Sequence, residues 1–260
     1  MNIRLKGIAL ASSAVLLGCA QLASADYYVA GSYGLNDQDD SYNSGLFTTA
    51  FTTGQVTGVN PPLNLPGASA VGWNTEFDSG DIYTLAFGRD LGQFRLELEY
   101  SGTDADVETH RGVSAGGIDL SGIDAGVLIA GNTSDLGVSV AGLVADGRGQ
   151  IENSTLLFNA YYDFDMGGAL TPFVGVGLGQ SQVDVTYNPS GVSVINDDDN
   201  VYTYQIAGGL SFNVNDNLSI VGTARYRDSG DVTVGSTLLP AQFDIENTSY
   251  LFDVGVRYTF

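Results

Sequence analysis

Charged and apolar residues alternate in three stretches of the chain: Phe94-Arg95-Leu96-Glu97-Leu98-Glu99-Tyr100, Ala224-Arg225-Tyr226-Arg227 and Phe252-Asp253-Val254-Gly255-Val256-Arg257. On an extended backbone successive side chains point to opposite faces. Arg95, Glu97 and Glu99 therefore share one face, with Leu96, Leu98 and Tyr100 on the other. A soluble core would not accept the charged face, because burying unpaired charge is too costly. An enclosed lumen accepts it if countercharges stand on neighbouring strands. Arg95, Arg225 and Arg257 are expected to pair there with Glu97, Glu99 and Asp253. The chemistry this spacing implies is mutual neutralisation.

Groups able to catalyse are sparse. The single histidine, His110, lies in Val107-Glu108-Thr109-His110-Arg111 with Ser114 close by. These residue types serve hydrolytic and lipid-modifying sites, but the strands supply no matching constellation. His110 is read as a loop histidine, no catalytic residue is assigned, and the chain is not expected to be an enzyme. Gly175-Val176-Gly177-Leu178-Gly179 looks like part of a nucleotide loop, yet no helix follows it, so these are strand glycines. Their row leaves room for bulky side chains from across a narrow barrel. Asp37-Gln38-Asp39-Asp40-Ser41 and Asp197-Asp198-Asp199 lack the Gly and Glu of an EF-hand loop. They read as solvated acidic loops, with no metal and no cofactor expected.

Alternation of period two defines the elements that carry these residues. It is clearest in Tyr250–Phe260, where Tyr250, Phe252, Val254, Val256, Tyr258 and Phe260 form an apolar face opposite Asp253, Gly255, Arg257 and Thr259. Asp26–Leu35, 81–88, 94–101, 155–164, 171–183, 202–212 and 218–227 repeat the pattern, predicting eight strands of roughly nine to eleven residues, enough to cross a bilayer when tilted. Short turns near 89–92, 165–170 and 213–217 alternate with long loops near 36–80, 102–153, 184–200 and 228–248. The patches at 126–130 and 138–144 are expected as strands or a folded loop above the membrane; an extra hairpin there would give ten strands. An all-β, closed, antiparallel up-and-down transmembrane barrel follows, since a strand edge cannot stay unpaired in hydrocarbon.

The N-terminus carries Arg4 and Lys6, an apolar run from Gly7 to Leu17, and Ala23-Ser24-Ala25 before Asp26, the layout of a secretory signal peptide cleaved after Ala25. Residues 1–25 are assigned to the signal and 26–260 to one barrel domain. Cys19 would leave with the signal, although Leu16-Leu17-Gly18-Cys19 also loosely resembles a lipoprotein cleavage box. Without Arg4 and Lys6, seven basic residues face 30 acidic ones. Nucleic acid is thereby excluded as a partner, because binding it rests on neutralising phosphates with Lys and Arg.

Phe94–Tyr100, Asn159-Ala160-Tyr161-Tyr162-Asp163-Phe164, Thr171–Gly177 and Arg257-Tyr258-Thr259-Phe260 together resemble the opacity and surface-antigen type of small bacterial outer-membrane barrel, and more distantly the transmembrane half of the OmpA family. The resemblance implies a location in the outer membrane and contact with its lipids and lipopolysaccharide. It also implies assembly by the barrel-assembly machinery, which recognises a closing strand such as Phe252, Val254, Val256, Tyr258 and Phe260. Because the chain ends with the barrel, the peptidoglycan-binding domain of full OmpA proteins is expected to be absent. An eight-stranded interior is just wide enough for its own side chains. The expected role is therefore a monomeric structural or surface-interaction barrel with long acidic extracellular loops and an unknown external ligand. A narrow porin-like channel for small solutes, or a lipid-modifying barrel enzyme, are the alternatives.

Overall fold

The computed structural model describes residues 27–260; Cys19 and the cleavage-site residues Ala23, Ala25 and Asp26 lie outside the described residues. The chain runs through β1 (Tyr27–Gln38), β2 (Ser41–Phe47), β3 (Phe51–Thr52), β4 (Asn64–Leu65), β5 (Ala70–Phe77) and β6 (Gly80–Asp90). It continues with β7 (Phe94–Ala115), β8 (Ile118–Asp119), a short helix α1 (Val140–Val144), β9 (Gly149–Asp163), β10 (Leu170–Tyr187) and β11 (Ile195–Asn213). The strands β12 (Leu218–Asp228), β13 (Val232–Gly235), β14 (Ala241–Ile245) and β15 (Thr248–Thr259) complete it.

Eight of these strands pair in a closed antiparallel ring in the order β1-β6-β7-β9-β10-β11-β12-β15, with β15 returning to β1. The seam runs from Tyr28 opposite Thr259 to Gln38 opposite Ser249. At its foot the Phe260 N–H donates to the Tyr27 carbonyl at 2.9 Å. Large apolar side chains point away from the axis and stay exposed, among them Leu85, Leu98, Phe158, Leu178, Ile206 and Phe252. A soluble protein would bury such a band; here its solvent is lipid. Aromatic rings border it at both rims. Tyr83 lies 6.4 Å from Tyr100 and Tyr226 5.5 Å from Tyr250 at one, and Phe94 lies 5.2 Å from Tyr162 and Tyr27 5.7 Å from Phe87 at the other.

Above the band the wall continues, and here the structure departs from the sequence expectation. The stretches expected as long loops are largely β-structure. β7, β9, β10 and β11 are 22, 15, 18 and 19 residues long and run straight past the membrane. The other four positions are refilled after a break: β1 passes into β2, β5 into β6, β12 into β13 and β14 into β15. The upper order, β7-β5-β2-β14-β13, repeats the lower order β7-β6-β1-β15-β12. β13 then meets β11, where Asp199 Oδ2 and Asp197 Oδ2 accept from the N–H groups of Thr233 (3.0 Å) and Gly235 (2.8 Å). The acidic run Asn196–Asn200 is therefore strand, not loop. The patches at 126–130 and 138–144 form a single 3₁₀ turn (Ala125–Leu128) and α1, so they add no strand to the ring.

A change of phase explains both the continuation and why it was missed. In β10, Val174, Val176 and Leu178 face lipid, whereas Val183, Val185 and Tyr187 are buried inside. β9 and β11 do the same, with Phe158 and Ile206 outward but Ile151 and Ile195 inward. Below, the apolar face turns to hydrocarbon; above, the surroundings are water and the apolar face turns to the axis. Inside the upper storey Phe47, Trp73, Val107, Phe243 and Ile245 form an apolar core, capped by β3, β4, the 3₁₀ turn and α1.

Candidate functional site

The lumen is filled in layers by side chains that the period-two pattern directs inward. Arg95 on β7 grips Asp163 on β9 through both arms, Nε to Oδ2 at 2.7 Å and Nη2 to Oδ1 at 2.9 Å. Glu97 accepts from the hydroxyls of Tyr28 (3.0 Å) and Tyr161 (3.3 Å) and from Asn159 Nδ2 (3.2 Å). Glu99, 1% exposed, accepts from Arg227 Nη2 at 3.0 Å and Asn159 Nδ2 at 2.9 Å, and its Oε2 lies 3.7 Å from Arg225. Arg225 also donates to Asp253, and Gln205 ties Asn159 to Arg227. Four buried arginines thus face the four buried carboxylates Glu97, Glu99, Asp163 and Asp253. The lumenal side of the glycine row is taken up by neighbours: a side chain on Gly177 would begin 2.0 Å from Asn159 Oδ1.

Above the charges sits a layer of hydroxyls and amides. Ser181 Oγ bridges Thr155 and Thr203 at 2.7 and 2.6 Å, and Ser249, Gln38, Asn247, Asn153 and Thr103 form a chain with links of 2.7–3.2 Å. The apolar core of the upper storey follows. The cavity left among the lumen charges is about 40 Å³.

Two expectations are corrected here. Arg95 pairs with neither Glu97 nor Glu99, which stand on its own strand; Asp163 lies diagonally across on β9, two residues beyond Tyr161, the residue opposite Arg95, within reach of a long side chain. Arg257 has no carboxylate within ion-pair distance among the described residues. It lies near the end of the barrel that carries the short turns, beside Ala30 and Ser219, donates to Ser211 Oγ at 3.2 Å, and holds its guanidinium 5.6 Å from the Tyr28 ring centre. Asp163 and Arg227, absent from the expected pairs, were signalled by the same alternation, as the next inward positions after Tyr161 and Arg225. Phe252, Val254, Val256, Tyr258 and Phe260, expected from the resemblance as an assembly signal, all lie on the outward, exposed side.

His110 is also corrected: it is no loop residue but a buried one on β7, 4% exposed, with Thr75 opposite on β5. Its Nδ1 lies 2.9 Å from Thr75 Oγ1, its one side-chain hydrogen bond among the described residues. Burial pushes its pKa down to about 4, with only a small opposing pull from Asp146. The sole tryptophan, Trp73, meets its ring edge to face, with centres 6.3 Å apart. On the outer surface, just above the tyrosine rim, Asp81, Asp104, Glu152, Asp184 and Asp198 stand in one row across five adjacent strands. Burial and these like-charged neighbours push the carboxyls of Asp104 and Asp184 upward.

Two outcomes follow. Replacing Arg225 by Ala strands Asp253, whose ion pair it is, while Glu99 keeps Arg227, and should cost about 3–5 kcal/mol. Replacing Arg257 by Ala strands no carboxylate and should cost distinctly less. The temperature at which the compact, unboiled gel band is lost should rank them so, and equal losses would contradict the pairing. For His110 the folded pKa is depressed, so the unfolded chain takes up its proton first as pH falls below about 6.5. Stability of the upper storey should therefore fall with pH between about 6.5 and 4, by on the order of 3 kcal/mol when complete. Trp73 fluorescence during denaturation reports it, and His110→Phe should flatten the upper part of that window, where carboxylates stay ionised.

Comparison with known proteins places this architecture. Residues 69–260 match the family described as surface antigen. The outer membrane protein PagN of Salmonella typhimurium is 26% identical over 124 residues, which are 44% of this chain and 52% of PagN. The chain thus spans about half the length of the curated relative it matches. Among solved structures, the outer membrane protein OprG of Pseudomonas aeruginosa superposes with a TM-score of 0.55 at 15% identity, over 91% of this chain and 96% of OprG. Neisserial surface protein A gives 0.44 at 13% identity, over 90% of this chain and 97% of that one. An eight-stranded ring, apolar outside and charged within, together with the family match over most of its length, shows that the chain belongs to the surface antigen family of bacterial outer-membrane β-barrels.

Proposed function

We propose that the protein is a closed, monomeric barrel whose work is done at its extracellular surface. The observation that carries this reading is the unbroken axial stack of ion pairs, hydroxyls and amides, and apolar core. Charge balance in the lumen suits a permanent filling, because four arginines and four carboxylates leave no net field to draw ions through. The upper storey supports a presenting role: it is built of paired strands around its own core, and its outer face carries acidic residues such as Asp104, Glu152, Asp184 and Asp244. Only Arg111 and Arg148 supply positive charge there, and both are in ion pairs, with Glu76 and Asp146. Such a surface repels polyanions and favours partners with cationic patches. The acidic row above the tyrosine rim lies at headgroup level, where outer-membrane lipids and lipopolysaccharide are the neighbours. The apolar closing strand suits recognition by the barrel-assembly machinery.

Planar-bilayer recording of the purified, refolded protein tests the closed lumen against a narrow channel. No steady conductance steps should appear in molar potassium chloride, and liposomes carrying the protein should not swell in small sugars. Reproducible steps of one size would overturn the reading in favour of the channel.

A further inference from the structure

At one place in the upper storey the wall closes without a backbone ladder. β11 pairs with β12 only as far up as Tyr204 opposite Asp228, and β13 pairs with β14. Above that point β11 and β13 run side by side, joined among the described residues by one isolated bridge, Ile195 with Ser236. The Thr237 N–H, donating to the Val194 carbonyl at 3.0 Å, fastens the same end. Between these two closures a pair of aspartates stands in for the ladder. Asp197 accepts through Oδ1 from the Asp198 N–H of its own strand at 3.1 Å and through Oδ2 from the Gly235 N–H of β13 at 2.8 Å. Asp199 repeats the arrangement, with the Asn200 N–H at 2.8 Å and the Thr233 N–H at 3.0 Å.

Both aspartates stand on the inward parity of β11, between buried Ile195 and Val201 and beside Val185 and Val183 of β10. Asp197 is nevertheless exposed and Asp199 half-buried, so water reaches the seam. Val183 and Val201 on one side of it, and Val232 and Val234 on the other, belong to the apolar core. The charged side chains on the elements packed around the seam are all acidic: Asp198 on β11, Asp184 opposite it on β10, Asp231 just before β13, and Asp244 on β14, which accepts from the Thr233 hydroxyl at 2.8 Å. Among the described residues neither Asp197 nor Asp199 has an ion-pair partner.

We infer that this seam is an acid-operated slit: the two ionised carboxylates hold it shut, and their protonation frees β13 from β11 and uncovers the apolar core behind. An ionised carboxylate accepts at both oxygens, whereas a protonated one carries an O–H donor on one of them. Each of these carboxylates faces an N–H on either side and needs both oxygens as acceptors. A proton therefore replaces one of two charge-assisted bonds with an O–H set against an N–H. A backbone ladder has no such dependence, so the rest of the wall stays shut.

Hydrogen exchange on the full barrel in detergent tests this, read residue by residue as protection relative to the free chain at the same pH. As the pH falls to about 4, where aspartates ordinarily take up protons, protection of the Thr233 and Gly235 amides should fall about tenfold or more, the loss of a hydrogen bond to a charged group. The amides of Val232 and Val234 point the other way, into the β14 ladder, and should keep theirs. The double variant D197N/D199N should show the same loss at neutral pH, because a carboxamide has only one acceptor oxygen. D198N, on the outward parity of the same strand, should not. Unchanged protection in acid, a loss shared equally by Val232 and Val234, or an effect of D198N as large as that of the double variant would each overturn the inference. The pH series on the unsubstituted protein decides the matter even if the double variant does not fold.

Discussion

Everything in this molecule rests on one constraint: within hydrocarbon, each backbone N–H and C=O must find a partner in the protein itself. An unsatisfied group there costs several kcal/mol, so the sheet must close. The β1–β15 seam meets that demand from Tyr28 to Gln38 on one strand and from Ser249 to Thr259 on the other. Closure at eight strands then fixes the bore, and the bore fixes what the inward residues must be. Tyr161 and Asn159 fit only because their neighbours across the sheet are Gly175 and Gly177. Strand number, glycine placement and lumen chemistry are thus one decision made at the backbone.

The same bore dictates how the charges are used. A narrow, filled lumen takes arginine and carboxylate largely out of bulk water, which is repaid by close pairing and hydrogen bonding. Two pairs are diagonal across adjacent strands, Arg95 with Asp163 and Arg225 with Asp253, while Glu99 is met from across the lumen by Arg227 and Arg225. Residues on one strand and one face, such as Arg95 and Glu97, point side by side and leave each other to other partners. Glu97 is served by two tyrosines and an asparagine rather than by arginine. Arg257 is left to a serine and an aromatic ring. Ion pairing here follows strand register and reach across the narrow bore, not the inventory of opposite charges.

Register is also what separated the legible from the illegible in the sequence. Alternation revealed all eight membrane strands and the lumenal face of Arg95, Glu97, Glu99, Arg225 and Asp253, because in the membrane the apolar face always points out. It did not reveal the partners, since nothing in one strand's pattern says which residue of the next lies diagonally across. Nor did it reveal the upper storey. Val183, Val185 and Tyr187 continue the strand of Val174, Val176 and Leu178 on the opposite parity, and a reading that demands one phase ends the strand at the flip. His110 was lost for a related reason: the register against β5 shifts between Glu76 and Phe77, opposite Thr109 and Val107, which breaks the period of two just before the histidine is reached.

That flip gives a physical reading of how a barrel grows beyond its membrane. The four strands that keep their hydrogen-bond ladder through the flip, β7, β9, β10 and β11, are consecutive in the ring and form one stiff half of the wall. The four that break, at 39–40, 78–79, 229–231 and 246–247, form the other half. Their breaks lie at one level and are rich in acid: Asp39, Asp40, Asp228, Asp231 and Glu246 line a cleft of about 210 Å³ there. Unbroken strands carry the wall on into the upper storey, while on the broken side β2, β5, β13 and β14 start afresh around the apolar core. A wholly continuous wall would hold the upper strands at the spacing of the membrane barrel. A wholly broken one would leave the cap unanchored. Half of each gives a continuous stalk with a separately packed head, which places buried His110 and the apolar core a short distance above a lumen packed with charge.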